Sequence, residues 1–214
     1  MAVKRGTAFA NRELRLDRGF TLVELIVVIS VIAILMGLLF PAFRGAQDQA
    51  KKTQAKNDLT QIVTAVSAFY TEYGKYPVAD SDQGVEKTFT TSNRQVLDIL
   101  QSLPGNDPSP TDPSANKYNP RKIVFLQPPP VNDDTAGQRR SGVSPSDGNF
   151  YDPWATVYRI RIDSDYNNQV ANPYGGGGNA GPDPLQQAVV AWSFGKDQTE
   201  DSDIKAGDDV ISWQ

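Results

Sequence analysis

The chain has no cysteine and no histidine. That excludes disulfides, thiolate nucleophiles, imidazole bases and the usual zinc ligand sets together, and makes catalysis a poor expectation. A cysteine-free chain also fits an exported protein stabilised by other means. Clustered positive charge is missing outside the first 19 residues, where Lys4, Arg5, Arg12, Arg15 and Arg18 face only Glu13 and Asp17. The formal net charge is -4, so the remaining body is acidic, which argues against nucleic-acid binding. There is no internal repeat. Length and composition, 214 residues with 39% hydrophobic, suit one membrane-anchored domain.

What the chain does have is a run from Phe20 to Phe40 that is apolar apart from Glu24, with Thr21 and Ser30 as mildly polar members. At about 1.5 Å per residue it is roughly 31 Å long, the thickness of a hydrocarbon core. Basic residues before the run predict a cytoplasmic N-terminus and an exported body. The bulky Leu38, Leu39 and Phe40 after Met36-Gly37 make a poor signal-peptidase site, so the run is expected to stay attached.

Beyond Pro41, Leu59, Ile62, Val63, Val66, Phe69, Tyr70 and Tyr73 recur at spacings of three and four and form one apolar stripe. Gly74 is placed to cap the helix and Pro77 forbids its continuation, predicting one helix of about 55 residues, loosened or kinked at Pro41 and Gly45. A short helix is expected over 93–103, where Ser92 and Gln95 have capping-box spacing. Strand patterns fall at 122–126, 156–162, 188–194 and 209–213. Residues 104–121, 127–149 and 172–184 are rich in Pro, Gly, Asn, Asp and Ser and read as loops. The expected fold is α+β: a long N-terminal helix, transmembrane in its first half, packed by its second half on a small antiparallel sheet. The expected organisation is a basic leader at 1–19, a transmembrane half-helix at 20–40, an exposed half-helix at 41–75 and a globular head at 76–214.

Arg18-Gly19-Phe20-Thr21-Leu22-Val23-Glu24 resembles the processing signature of type IV pilins and type II secretion pseudopilins. The resemblance implies that a prepilin peptidase cuts between Gly19 and Phe20 and methylates Phe20, leaving Glu24 fifth in the mature chain and Pro41 at the family's helix-kinking proline. Independently of the name, a carboxylate in an apolar span is costly and marks a functional partner. The new amine lies one helical turn away, so Glu24 can compensate its own N-terminus or that of a neighbouring subunit. Simple snorkelling of Glu24 to the interface is the structural alternative.

Two further stretches are similar to the major pseudopilin in particular. One is Asp152-Pro153-Trp154 with Tyr158, in which Ala155 stands where glycine is usual. The other runs from Ala191-Trp192-Ser193-Phe194-Gly195-Lys196-Asp197 to Gly207-Asp208-Asp209-Val210-Ile211-Ser212-Trp213. The resemblance implies a structural Ca2+ in the C-terminal loop, with Asp197 and Asp209 foremost as ligands and Asp208 and Ser193 next. Six acidic residues between Asp197 and Asp209 supply the oxygen donors a hard cation requires. A solvated acidic loop is the alternative, and Lys196, Gln198 and Thr199 replace smaller or glycine-rich positions. Asp163-Ser164-Asp165 opens like an EF-hand loop but lacks its glycine and final glutamate, so it reads as a turn. Gly175 to Gly178 do not lie between a strand and a helix as a phosphate loop requires. Trp154, Trp192 and Trp213 are expected to pack in the head.

The implied role is a non-enzymatic structural subunit of a type II secretion pseudopilus, anchored in the inner membrane with a periplasmic head. Its implied partners are further copies of itself in a helical filament, prepilin peptidase, other pseudopilins and the inner-membrane secretion platform. A type IV pilin for adhesion, motility or DNA uptake is the runner-up, although such pilins commonly carry a cysteine bridge. A minor pseudopilin also remains open, given the insertions at 104–121 and 127–149.

Overall fold

A computed structural model describes residues 20–103, 115–204 and 207–214, without side chains at 41, 42, 115 and 116. The chain divides into two compact units between Ala46 and Gln47. Helix α1 runs from Leu22 to Tyr73, 52 residues. The helical backbone continues through Pro41 and Gly45. In the first unit every large hydrophobic from Phe20 to Phe43 is exposed, from 49% at Ile26 to 83% at Phe20.

The head opens with the second half of α1. Ala55, Leu59, Ile62, Val66 and Phe69, spaced by three and four, are buried. Burying side chains of this size stabilises by about 1.5–3 kcal/mol each. Gly74 ends the helix in the left-handed region, φ 68°, with its N–H on Tyr70 O at 2.8 Å. Tyr76 lies beyond the helix yet stacks on Tyr70 with ring centres 4.6 Å apart.

The stripe packs on a four-stranded antiparallel sheet ordered β1-β4-β5-β6: β1 Lys87–Phe89, β4 Arg159–Ile162, β5 Val189–Ser193 and β6 Val210–Ile211. Strands β2, Gly142–Val143, and β3, Phe150–Tyr151, form a separate hairpin. Helix α2 spans Arg94–Gln101 and the single turn α3 spans Ala115–Tyr118. Ile160 and Ile162 of β4 and Val189 and Ala191 of β5 join α1 in the main core. Val190, Trp192 and Ile211 join Val170 and Leu185 in a second core. Strand β5 is therefore buried throughout, which explains why it reads as a continuous apolar run instead of alternating.

Two expectations are corrected. Residues 122–126 form no strand; the N–H groups of Phe125 and Leu126 bond Leu100 O at 2.8 and 3.4 Å, tying the segment to the end of α2. The Ser92–Gln95 capping box does not form. Instead Asn149 Oδ1 accepts from Ser92 Oγ, Asn93 N and Arg94 N at 2.7, 3.1 and 3.3 Å, a cap supplied from 55 residues away or more. Strands β1, β2 and β3 carry no pattern long enough to predict. Buried Asn93 stands in for missing ladder bonds: its Nδ2 donates to Phe150 O and Tyr158 O, and its Oδ1 accepts from Phe150 N.

Ala155 adopts φ 74°. In this left-handed region a Cβ costs about 1–2 kcal/mol, and glycine avoids that cost while adding some chain entropy. Ala155→Gly is expected to raise stability by about 0.5–1 kcal/mol, read as an increase in melting temperature; a decrease would show that the turn is not strained.

Candidate functional site

Two features of the chain carry functional chemistry. The first is the start of α1. Thr21 Oγ1 accepts from Glu24 N at 3.2 Å, and Glu24 Oε2 accepts from Thr21 N at 2.8 Å and Thr21 Oγ1 at 2.7 Å. This reciprocal pair is a capping box, and it puts a carboxylate at the positive end of the helix macrodipole. The Thr-x-x-Glu spacing of Thr21 and Glu24 is the sequence signal of this cap. Phe20 is 83% exposed, and so is the apolar surface that follows. Helix α1 is long and apolar enough to cross a membrane. Gly19 and the rest of the leader lie outside the described residues, as does the Pro41 side chain.

The second feature is the C-terminal acidic loop. Carboxylate oxygens of Asp197, Asp201 and Asp208 lie within 4.8 Å of one another. Asp208 Oδ2 accepts from the N–H groups of Lys196 and Asp197, the latter at 3.2 Å. Asp201 Oδ2 accepts from Asp208 N at 2.6 Å and Asp209 N at 3.0 Å. A Cβ on Gly195 would collide with Asp208, and one on Gly207 with Asp201, so both glycines leave room for the carboxylates. Asp209 is 7% exposed; its Oδ2 accepts from Tyr174 Oη at 2.8 Å and Asp201 N at 2.9 Å, while its Oδ1 is buried with no partner among the described residues. Burial pushes the Asp209 pKa up to about 6. An all-oxygen donor set with an orphaned buried carboxylate oxygen at its edge fits a hard divalent cation.

Of the four predicted ligands, Asp197 and Asp208 come together and Asp209 sits beside them. The Ser193 side chain does not join the cluster. Its hydroxyl donates to buried Asp152 Oδ2 at 2.5 Å, and Asp152 Oδ1 accepts from Trp154 N and Thr156 N at 2.8 and 2.9 Å. Burial pushes the Asp152 carboxyl up from its ordinary value. Asp201 is the ligand-type residue that the sequence did not single out among six acids. Asp163–Asn168 is a turn closed by Asn167 N and Asn168 N on the Asp163 carboxylate.

Lysines hold this loop on the second half of α1. Lys52 Nζ donates to Gly207 O at 3.4 Å, Lys56 Nζ to Ile211 O at 2.7 Å and to Gln214 O, and Lys196 Nζ to Asp48 Oδ2 at 2.7 Å.

A half-bare, half-packed N-terminal helix on a small antiparallel sheet defines the class: a pilin-like, membrane-anchored protein. The model of the prokaryotic N-terminal methylation motif matches residues 14–40, and that of type II secretion system protein G matches residues 42–123. Among similar proteins, type II secretion system core protein G of Escherichia coli is 30% identical over 103 residues, 48% of this chain and 70% of the relative. That of Pseudomonas aeruginosa is 31% identical over 104 residues, 49% and 63% respectively. The type IV major pilin protein PilA of Myxococcus xanthus is 38% identical over 60 residues, 28% of this chain and 27% of the relative. The chain belongs to the type II secretion system protein G family, the pseudopilins. It spans less than two thirds of the myxococcal and pseudomonal relatives. No solved structure matches it significantly.

Proposed function

We propose that the chain is a structural subunit of a type II secretion pseudopilus and has no chemistry of its own. The observation that carries this reading is the exposed apolar surface of residues 20–40 with a single carboxylate one turn from its start. Water does not tolerate such a surface; a bilayer, and then the same helices of neighbouring subunits, would cover it. The basic leader would stay cytoplasmic and the head periplasmic. Prepilin peptidase would cut between Gly19 and Phe20 and methylate Phe20. Glu24 would then meet the new amine of an adjacent copy and fix axial register. Other pseudopilins and the inner-membrane platform are the remaining partners, and the growing stalk would drive protein export. Similarity to the myxococcal pilin is confined to 60 residues, whereas the protein G model extends into the head, which favours secretion over motility.

Breaking a buried ion pair costs about 3–5 kcal/mol. Glu24→Ala is therefore expected to leave leader processing intact and to abolish fibres in overexpressing cells seen by electron microscopy; normal fibres would contradict the assigned role.

The acidic loop we read as a structural Ca2+ site held by Asp197, Asp201, Asp208 and Asp209. When bound, the ion would supply the positive charge that three converging carboxylates lack, and Lys52 and Lys56 would transmit the ordered loop to α1. Chelation should lower the melting temperature of the full chain in detergent; an unchanged value would remove the ion from the account.

A further inference from the structure

Strand β4 sends two arginines to the outer face of the sheet, and they are treated differently. Arg161 is saturated: its Nε donates to Thr88 Oγ1 at 2.7 Å, its Nη1 donates to Ala171 O at 2.6 Å, and it pairs with Glu86. Arg159 lies in register with Trp192 of β5, which in turn faces Ile211 of β6, the strand that begins directly after Asp209. Its guanidinium carbon stands 3.5 Å from the centre of the Phe194 ring, and its Nη1 is buried with no hydrogen-bond partner among the described residues. Phe194 leads directly into Gly195, Lys196 and Asp197. Burial lowers the Arg159 pKa from its ordinary value, and the carboxylates of Asp152, Asp209 and Glu200 oppose that shift. Among the described residues two buried atoms lack partners near the ends of the acidic loop: Arg159 Nη1, whose guanidinium lies over Phe194 before the loop, and Asp209 Oδ1 at its close.

A half-buried guanidinium over Phe194 gains a cation–π contact but costs more to desolvate than an apolar side chain in the same place. We propose that Arg159 is an internal counter-cation of the acidic loop, which steadies its carboxylates when no ion is bound and competes with a divalent cation for them. The residue would then set how tightly the loop holds an ion and how far the loop survives without one. This rests on the loop being a cation site. The consequence is separable from that reading, because removing one positive charge near a carboxylate cluster strengthens cation binding and weakens the ion-free loop, whereas lost packing weakens both states alike.

The test uses the full chain in detergent with CaCl2 as the titrant. Arg159→Gln is expected to lower the melting temperature in chelator by several degrees, to recover most of that loss in calcium, and to bind Ca2+ roughly tenfold more tightly than the wild type by calorimetry. Arg159→Lys, which keeps the charge, should retain wild-type affinity. Arg159→Met, with an unbranched stem against Phe194, takes the place of Arg159→Gln if the latter does not fold. Equal melting losses in chelator and calcium with unchanged affinity would overturn the proposal. So would a failure of wild type and both neutral variants to bind Ca2+. Binding by the neutral variants but not the wild type would uphold Arg159 as the counter-cation while removing the ion from the native protein.

Discussion

One helix with two kinds of covering governs this molecule. From Ala55 to Phe69 the apolar stripe of α1 is closed over by β4, β5 and α2, as in any globular core. From Phe20 to Phe40, and at Phe43, the large apolar side chains are exposed by 49% or more. A large exposed apolar surface is stable only where lipid or another copy replaces water, so the same residues account for both membrane anchoring and the proposed polymerisation. Glu24 is the polar exception in that surface. Its capping box with Thr21 lowers its cost at the helix start, and the N-terminal end of the macrodipole does the same.

The head answers a different problem, which is how a small sheet with long loops stays ordered without disulfides. Buried asparagines do much of this by bonding backbone from distant segments: Asn93 bridges to Phe150 and Tyr158, and Asn119 joins Ile99 to Ile123 and accepts from Tyr73 Oη. At the C-terminus the same need is met by charge. Three converging carboxylates, one exposed and two partly buried, sit beside the buried Asp209, and lysines of α1 bond the backbone around them.

Much of this was legible in the residues. The period of Leu59, Ile62, Val66 and Phe69, and Gly74 before Pro77, placed α1 almost to the residue, because local patterning and capping control long helices. Runs at 188–194 and 209–213 gave β5 and β6 because apolar strands announce themselves. Strands β1, β2 and β3 were illegible: two or three residues have no period, and their pairing is decided by distant partners such as Asn93. The cap of α2 came from Asn149, beyond any local window. In the acidic loop the residue types were readable but not which carboxylates converge. Asp201 is selected by the turn that brings Gly207 against it, and Ser193 is diverted by Asp152. The departures Ala155 and Gln198 both take left-handed backbone, φ 74° and 62°, so the glycine-like geometry persists where the glycine does not.

The proposed role of Glu24 requires a free amine at the head of the bare helix, one turn away. Intact-mass and N-terminal peptide mass spectrometry of the protein purified from its native membrane measures this directly. The prediction is a chain beginning at Phe20 and heavier by one methyl group; retention of residues 1–19, or cleavage beyond Phe40, would contradict it.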